Sequence, residues 1–147
     1  MEIHSCINFI LSNAQNTVHN YFKRRLQDYD ITPSQYSLLY CLYVQDGLTP
    51  SQLAQTLRLD TSSITGILSR LEKKGLIDRV YNQEDRRSVS IHLREEGKIL
   101  WQQVDLVIEE ANEKITGNLD PDRYAQFLST LELIERNTED SAAADEA

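Results

Sequence analysis

The chain has 147 residues, 40% of them hydrophobic, with 15 Lys and Arg against 23 Asp and Glu and a formal net charge of −8. This length suits one domain with a core of ordinary size, and no apolar stretch approaches the roughly 20 residues of a membrane-spanning helix. The first residues lack the basic region and apolar run of a signal peptide, and two cysteines do not make a disulfide framework, so we expect a cytoplasmic protein without membrane contact.

The charge is unevenly distributed along the chain. Residues 1–48 hold three Lys or Arg against four Asp or Glu, residues 49–94 hold eight against five, and residues 95–147 hold four against fourteen. Only the middle third is net positive, so it is the part that would attract a polyanion. The acidic last third predicts a solvated helix face followed by a disordered acidic tail over residues 141–147.

Two helices are predicted before the basic segment. Apolar residues from Ile3 to Leu26 recur at helical spacing and predict one long helix. Thr32-Pro33-Ser34-Gln35 then supplies an N-cap hydroxyl, a proline at the first helical position and a glutamine that can bond back to the cap. A second helix is therefore expected after Thr32, and it should end near Gly47.

Two shorter helices are predicted next. Thr49-Pro50-Ser51-Gln52 repeats the capping signature and predicts a helix that starts at Pro50. After the turn Arg58-Leu59-Asp60, in which Asp60 is a second candidate cap, another helix should run from Thr61 to Lys74 and stop at Gly75. Its apolar residues form one stripe, which leaves hydroxyls and cations on its other faces.

A two-stranded wing is predicted after these helices. Residues 76–81 and 88–93 alternate in polarity and read as two strands around a polar turn. Arg86 and Arg87 lie at the tip of this turn, and an arginine on such an arm can enter the minor groove of DNA. Asp85 is expected to orient one of the two arginines through a charge-assisted hydrogen bond.

Together these elements predict a mainly α (α+β) fold, a winged helix-turn-helix that binds DNA. Small hydroxyls on the second short helix allow close approach to base edges in the major groove, and cations at its end can neutralise phosphates. The predicted DNA-contacting residues are Pro50, Ser51, Gln52, Thr61, Ser62, Ser63, Thr65, Gly66, Ser69, Arg70, Lys73, Lys74, Arg86, Arg87 and Ser88.

The ends of the chain predict a homodimer. A long helix with apolar residues from Ile99 to Ile115 should follow the wing, and Asp120-Pro121 opens a last helix. These helices exceed what covers a small winged domain, so we expect residues 1–30 and 95–140 to form a dimerisation region around the DNA-binding domain, residues 31–94. A two-fold dimer would place two reading helices about one turn apart on a pseudo-palindromic double-stranded operator.

Several segments resemble the MarR (multiple antibiotic resistance regulator) family of dimeric bacterial transcription regulators. They are Leu53-Ala54, Leu68–Ile77, Glu84–Ser88, and Leu93 followed by Glu96-Gly97, and the similarity in layout extends over residues 3–138. The resemblance implies that residues 61–74 form the recognition helix, that Arg87 is the minor-groove arginine with Asp85 as its wing partner, and that both chain ends interlock in the dimer. Arg94 departs from the family, which often has a threonine there that caps the next helix.

Tyr36, Tyr40 and Tyr43 lie on neighbouring positions of the second helix. They suit an aromatic-lined pocket, but the residues alone favour core and interface aromatics whose hydroxyls reach water. Many members of the family bind phenolic or other aromatic carboxylic acids between the dimerisation helices and the winged domain. The resemblance therefore implies a repressor released by such an effector, with Phe9, Asn13, Tyr36 and Tyr40 as the predicted pocket residues.

Two other functions remain open. A thiol-based redox sensor of the same family would use a cysteine near the start of the first helix, where Cys6 lies, but Pro33 stands where the peroxide-sensing branch has a partner tyrosine. A winged helix can also serve protein contacts, although the cations on the second short helix and wing favour DNA. Cys41 lies in an apolar helical run, where a buried free thiol is typical.

An enzyme is not predicted. The sequence has no phosphate-cradling glycine loop and no nucleophile elbow. His4, His19 and His92 fall on a helix start, a helix middle and a strand, which does not suit a metal site. We therefore expect neither a cofactor nor a bound metal.

Overall fold

The computed structural model describes residues 2–83, 85 and 88–145, and it describes side chains as far as residue 139. The described chain forms helices α1 (Ile7–Leu26), α2 (Pro33–Val44), α3 (Pro50–Leu57) and α4 (Thr61–Lys73), strands β1 (Ile77–Tyr81) and β2 (Val89–Leu93), and helices α5 (Glu95–Thr116) and α6 (Pro121–Asp145). The two strands pair antiparallel. This is the predicted mainly helical winged helix-turn-helix fold. The chain divides into two compact units, residues 1–109 and 110–147.

Capping residues determine where α2 and α3 begin. The Thr32 hydroxyl accepts from the Gln35 N–H and the Gln35 side-chain oxygen accepts from the Thr32 N–H, each at 3.2 Å. Thr49 and Gln52 exchange the same pair of bonds at 3.2 and 2.9 Å. Each cap satisfies backbone donors that the helix itself leaves unpaired, so both helices start at their prolines as predicted.

Helix α4 also has the predicted ends. The Asp60 carboxylate accepts from the Ser63 N–H at 2.8 Å, which makes Asp60 the N-cap. At the other end Gly75 has a φ of 70°, the left-handed conformation that stops a helix at little cost for glycine.

The core of the first unit lies between the helix-turn-helix and the wing. It contains Leu38, Leu39, Cys41, Leu42, Leu48, Leu53, Ile64, Ile67, Leu68, Leu71, Leu76, Ile77, Ile91, Leu93 and Trp101. Trp101 is only 3% exposed and brings the first turns of α5 into this core. The apolar stripe predicted for α4 is therefore the face that packs inward.

The start of α1 differs from the sequence-based expectation. A short 3₁₀ turn, Ile3–Ser5, precedes α1, which therefore begins at Ile7. Helix α5 begins without a hydroxyl cap: the Arg94 carbonyl accepts from the Lys98 N–H at 3.0 Å, and its guanidinium lies 3.6 Å from Asp78 and 3.5 Å from Glu96.

Helix α6 continues to Asp145 and so includes most of the segment predicted as a disordered tail. The three alanines at 142–144 explain the difference, because alanine has the highest intrinsic helix propensity. Among the described residues, no helix combines the length and the apolar character needed to cross a membrane.

Candidate nucleic-acid interface

Helix α4 presents hydroxyls and cations away from the core. Ile64, Ile67, Leu68 and Leu71 are buried, whereas Thr61, Ser62, Thr65, Ser69, Arg70 and Lys73 are exposed. The helix has 13 residues, so it spans about 20 Å at 1.5 Å per residue, which is long enough to lie along a groove. Its composition and length suit the reading of base edges.

Asp60 organises the hydroxyls at the start of α4. Its Oδ1 accepts from the Ser62 hydroxyl at 2.6 Å and its Oδ2 accepts from the Ser63 hydroxyl at 2.8 Å. The hydrogen bonds from Ser62 and from the Ser63 N–H and hydroxyl hold the pKa of Asp60 well below its usual range. Because both serine protons are engaged, the remaining serine lone pairs can accept hydrogen bonds from outside, for example from base amino groups.

A cleft brings the starts of α3 and α4 together with the start of β2, at the turn end of the wing. It has a volume of about 540 Å³ and is lined by Thr49, Pro50, Ser51, Ala54, Thr61, Ser88 and Val89. Backbone N–H groups at a helix N-terminus carry partial positive charge and bind phosphate readily. The cleft therefore joins four residues predicted from sequence as DNA contacts: Pro50, Ser51, Thr61 and Ser88.

Gln52 and Lys74, two of the predicted contact residues, hold other parts of the chain through their side chains. The Gln52 side-chain oxygen is occupied by the α3 cap. Lys74 Nζ donates to the Asp30 carbonyl and lies 3.1 Å from Asp30 Oδ2, which fastens the end of α4 to the turn after α1. Lys74 therefore has a structural role that the sequence did not indicate.

Arg79 is not among the residues singled out from the sequence. Its side chain connects the wing to α4. Its Nη2 donates to the Ser69 hydroxyl at 3.1 Å, and its Nε lies 3.2 Å from Glu72 Oε2. Alternation along β1 places Arg79 on the same side as Ile77, which is fully buried. That alternation could have indicated that Arg79 faces the helix.

The wing is a regular hairpin as far as it is described. Ile77 pairs with Leu93 and Tyr81 with Val89 at its two ends. The Ser88 N–H donates to the Asp85 carbonyl at 2.9 Å, and the Asp85 side chain is exposed. Arg86 and Arg87 lie outside the described residues, so the pairing of Asp85 with an arginine stays a prediction.

The connection between α2 and α3 extends the wing sheet at its root. Leu48 forms a bridge with Ile91, and the Ile91 N–H donates to the Leu48 carbonyl at 2.9 Å. Asp46 accepts from the Leu93 N–H at 2.7 Å and its other oxygen lies 2.7 Å from His92 Nδ1. Burial raises the pKa of Asp46, but the hydrogen bonds from Leu93 and His92 outweigh it and leave the pKa below its usual value.

The α2 tyrosines surround one tryptophan. Ring centroids of Tyr36, Tyr40 and Tyr43 lie 4.9, 5.4 and 5.6 Å from that of Trp101. The pKa of Tyr36 is raised to about 12, mainly by burial and to a smaller extent by nearby acidic groups. Tyr36 and Tyr40 thus share a partner in an aromatic cluster, which supports the interpretation as core aromatics with accessible hydroxyls.

The other two predicted pocket residues lie on α1. Phe9 meets the His4 ring edge-on at 5.7 Å, and Asn13 is exposed. None of Phe9, Asn13, Tyr36 and Tyr40 lines the cleft at the starts of α3 and α4 or the two cavities beside α4. Their role in ligand binding stays a prediction.

Two adjoining cavities lie beside α4. The first, here the α4 cavity, measures about 500 Å³ and is lined by His19, Lys23, Thr32, Pro33, Ser34, Leu59, Ser62, Ser63, Gly66, Ile67 and Arg70. The second measures about 490 Å³ and is lined by Asn20, Lys23, Arg24, Gln27, Asp30, Ile31, Thr32, Gln35 and Lys74. Lys23 and Thr32 belong to both. The linings are rich in cations, which suits an anionic ligand.

The cysteines differ in environment. Cys6 is half-buried just before α1, and Cys41 is buried in the core. Burial raises the pKa of the Cys41 thiol, which lowers its reactivity because the thiolate is the nucleophile. Within the described part of the chain, no three His, Cys, Asp or Glu side chains are grouped as a metal site requires.

A short helix, a turn, a second helix with exposed hydroxyls and cations, and an antiparallel wing define a winged helix-turn-helix protein. The MarR family model matches residues 31–89. Over 100 residues the chain is 34% identical to the organic hydroperoxide resistance transcriptional regulator of Bacillus subtilis, covering 68% of each chain. Over 130 residues it is 27% identical to the homoprotocatechuate degradative operon repressor of Escherichia coli, covering 88% of each. The chain belongs to the MarR family of DNA-binding transcriptional regulators.

Solved structures share the fold. A mutant MarR of Escherichia coli in complex with operator DNA superposes with a TM-score of 0.81 at 24% identity, covering 87% of this chain and 92% of that one. CouR of Rhodococcus jostii bound to p-coumaroyl-CoA superposes with a TM-score of 0.78 at 27% identity, covering 91% and 94%. The recognised family and the observed fold therefore agree.

Proposed function

We propose that the chain is a repressor that binds a pseudo-palindromic DNA operator as a homodimer and is released by a small aromatic acid or a derivative of one. The observation that carries the proposal is the exposed row of hydroxyls and cations on α4, flanked by the cleft that joins two helix N-termini to the wing. It acts on chromosomal DNA in the cytoplasm and needs no catalytic step.

The DNA contacts divide by groove. The first turns of α4, with Thr61, Ser62 and Thr65, read base edges in the major groove. The cleft holds a backbone phosphate, and Arg70 and Lys73 neutralise others. The wing carries Arg87 into the minor groove, where the potential is most negative.

Exposed apolar side chains support self-association. In the first unit Ile3, Ile7, Ile10 and Val18 of the N-terminal segment are exposed, and in the second unit Tyr124, Phe127, Leu128 and Leu133 are exposed. Apolar helix faces of this length are usually buried in an interface. A second copy of the chain is the partner that also explains a palindromic operator.

The α4 cavity is the proposed effector site. His19, Lys23 and Arg70 in its lining can pair with a carboxylate, and its wall includes Ser62, Ser63 and Gly66 of the reading helix. A ligand bound there would alter the contact between α4 and DNA. It can release DNA only if it binds the DNA-incompetent state more tightly than the DNA-competent state. The Escherichia coli relative named for homoprotocatechuate degradation and the CouR complex support an aromatic acid or its thioester.

The test starts from DNA selected out of a random duplex pool by the full-length protein, here the selected duplex. Phenolic and cinnamic acids, and their coenzyme A thioesters, are then titrated against the complex. A coupling of about 1 to 3 kcal/mol would lower DNA affinity roughly 5- to 150-fold. Lys23→Ala should bind the selected duplex but lose the response, whereas Lys98→Ala, which removes an exposed ion pair with Glu95 on α5, should keep it.

Absence of any selected sequence would overturn the DNA-binding proposal itself. A response that survives Lys23→Ala would remove the α4 cavity as the effector site. The first outcome is read from the selection and the second from the titrations, so the two failures are distinguishable.

Redox sensing is the second candidate, favoured by the similarity to the hydroperoxide resistance regulator and by the half-buried Cys6. If mild organic hydroperoxide releases the selected duplex, Cys6→Ser abolishes release and no aromatic acid acts, the redox function replaces the effector. Cys41→Ala is the control, because that thiol is buried.

A further inference from the structure

Three side chains at the root of the wing form a hydrogen-bonded relay. His92 Nδ1 lies 2.7 Å from Asp46 Oδ2, and His92 Nε2 lies 2.9 Å from the Ser90 hydroxyl. The other Asp46 oxygen accepts from the Leu93 N–H at 2.7 Å. The relay, defined as Asp46, His92 and Ser90, therefore ties the α2–α3 connection to strand β2.

The charge state of His92 determines the direction of its bond to Ser90. Asp46 is an acceptor only, so Nδ1 must carry a proton in both charge states. In the neutral ring Nε2 is then the bare nitrogen, and it accepts the Ser90 proton. In the imidazolium Nε2 is a donor, so the Ser90 oxygen must accept and its own proton must go elsewhere.

A second acceptor for that proton is already in reach. The Ser90 hydroxyl lies 3.4 Å from the carbonyl oxygen of Val80, and Val80 is the residue that faces Ser90 in the β1–β2 register. Protonation of His92 thus releases the Ser90 proton toward the facing strand. It also turns the hydrogen bond between His92 and the Asp46 carboxylate into an ion pair.

Charged groups from neighbouring elements flank His92. Asp46 comes from the α2–α3 connection, and Asp78 on β1 is the cross-strand partner of His92. Arg94 follows on the same strand end, and its guanidinium lies 3.6 Å from Asp78 and 3.5 Å from Glu96. Gly47 leaves room for the ring, since a Cβ there would come within 3.2 Å of it.

We propose that His92 is a positioning residue of the wing. Its protonation redirects the Ser90 hydroxyl proton from the imidazole to the Val80 carbonyl, and it strengthens the contact with Asp46 that holds the hairpin to the α2–α3 connection. The wing is then held more firmly in mildly acidic solution than in mildly alkaline solution. Histidine is the side chain that ordinarily changes charge between about pH 5 and 8, so the test spans that range. Its effect on DNA rests on the proposed function, whereas the change in the hairpin does not.

Amide hydrogen exchange of the full-length protein without DNA tests the hairpin directly. The reporters are the N–H groups of Ile91, Leu93 and Asn82, which donate to Leu48, Asp46 and Ser88. Protection factors, corrected for the intrinsic effect of pH, should rise by up to about five-fold from about pH 8 to about pH 5, the gain expected of a partly exposed ion pair. Ring nitrogen chemical shifts should show the neutral His92 as the Nδ1–H tautomer.

Variants separate the relay from general effects of pH. His92→Gln removes the titrating group and should make the protection factors independent of pH. Ser90→Ala should abolish the response of the Asn82 amide and retain that of Leu93, because the pair with Asp46 remains. His4→Gln, a matched change on an exposed histidine near the N-terminus, should behave like the wild type.

The same variants are compared for affinity to the selected duplex. Wild type and His4→Gln should bind about five-fold tighter at the acidic end, and His92→Gln should lose this difference. Equal pH dependence of exchange in wild type and His92→Gln would overturn the relay. Exchange that follows the relay without any change in DNA affinity would support the relay and count against the wing as a DNA-binding element.

Discussion

The side chains proposed to contact DNA should make separable contributions to the binding affinity. Lys73 near the end of α4 is exposed and is expected to meet only phosphate, whereas Arg87 is expected to enter the minor groove, whose width depends on sequence. Phosphate contacts contribute to binding of all sequences, and groove contacts distinguish between them.

Lys73→Ala should therefore weaken binding to all duplexes similarly and reduce the slope of log affinity against log salt by about one unit. Arg87→Ala should lower affinity for the selected duplex by about 1 to 3 kcal/mol. Titrations over a salt series, with Lys98→Ala as the control on α5, measure both effects. Unchanged affinity in Arg87→Ala would remove the wing arginine from the interface.

A substitution at Gly66 should change the stability of the protein and its affinity for DNA in opposite directions. It lies inside α4, and a Cβ there would meet no atom within 4 Å, so Gly66→Ala should stabilise the protein by about 0.5 to 1 kcal/mol. The added methyl group lies on the proposed reading helix and should weaken DNA binding. Urea unfolding and DNA titration of one preparation give both numbers, and full affinity would place Gly66 outside the interface.

Gly97→Ala provides the contrast. A Cβ at Gly97 would overlap the Leu76 carbonyl oxygen and come within 2.7 Å of the Leu93 side chain. The backbone at this junction cannot yield without disturbing the start of α5, so the variant should be destabilised. A stable Gly97→Ala protein would contradict the packing described for this junction.

At the scale of elements, the capped starts of α2, α3 and α4 could be predicted and the contacts between distant elements could not. Thr49 with Gln52, and Asp60 with Ser63, are three residues apart, so local chemistry identifies them. Asp46 and His92 are 46 residues apart, and their contact exists only after the hairpin has folded against the α2–α3 connection. The aromatic cluster around Trp101 was missed for the same reason, since α5 joins α2 only in three dimensions.

The α4 cap makes a prediction about pH. The folded-state pKa of Asp60 is lowered, so its carboxylate stabilises the helix above its ordinary pKa and loses this contribution as the pH falls. Asp60→Ala should be less stable than the wild type at pH 7, and the difference should shrink below about pH 4, where free aspartates become protonated. Urea unfolding at both pH values measures this difference, and a gap that is independent of pH would rule out the charged cap.

At the scale of the molecule, the apolar residues left exposed on one chain predict an obligate dimer. Ile7, Ile10, Phe127 and Leu133 are each exposed, which a lone chain would not tolerate well. Sedimentation at micromolar concentration should give a species of twice the 17.0 kDa chain mass. Truncation after Gly117 should cause aggregation or unfolding, and a stable monomer of the full chain would contradict the dimer.

The measurement that tests the central claim most directly is selection from a random duplex pool by the full-length protein, followed by mass determination of the complex with the enriched sequence. The account predicts an inverted repeat whose half-sites lie about 10 base pairs apart, with two chains bound to each duplex. Enrichment of no sequence, or one chain bound to an asymmetric site, would contradict it.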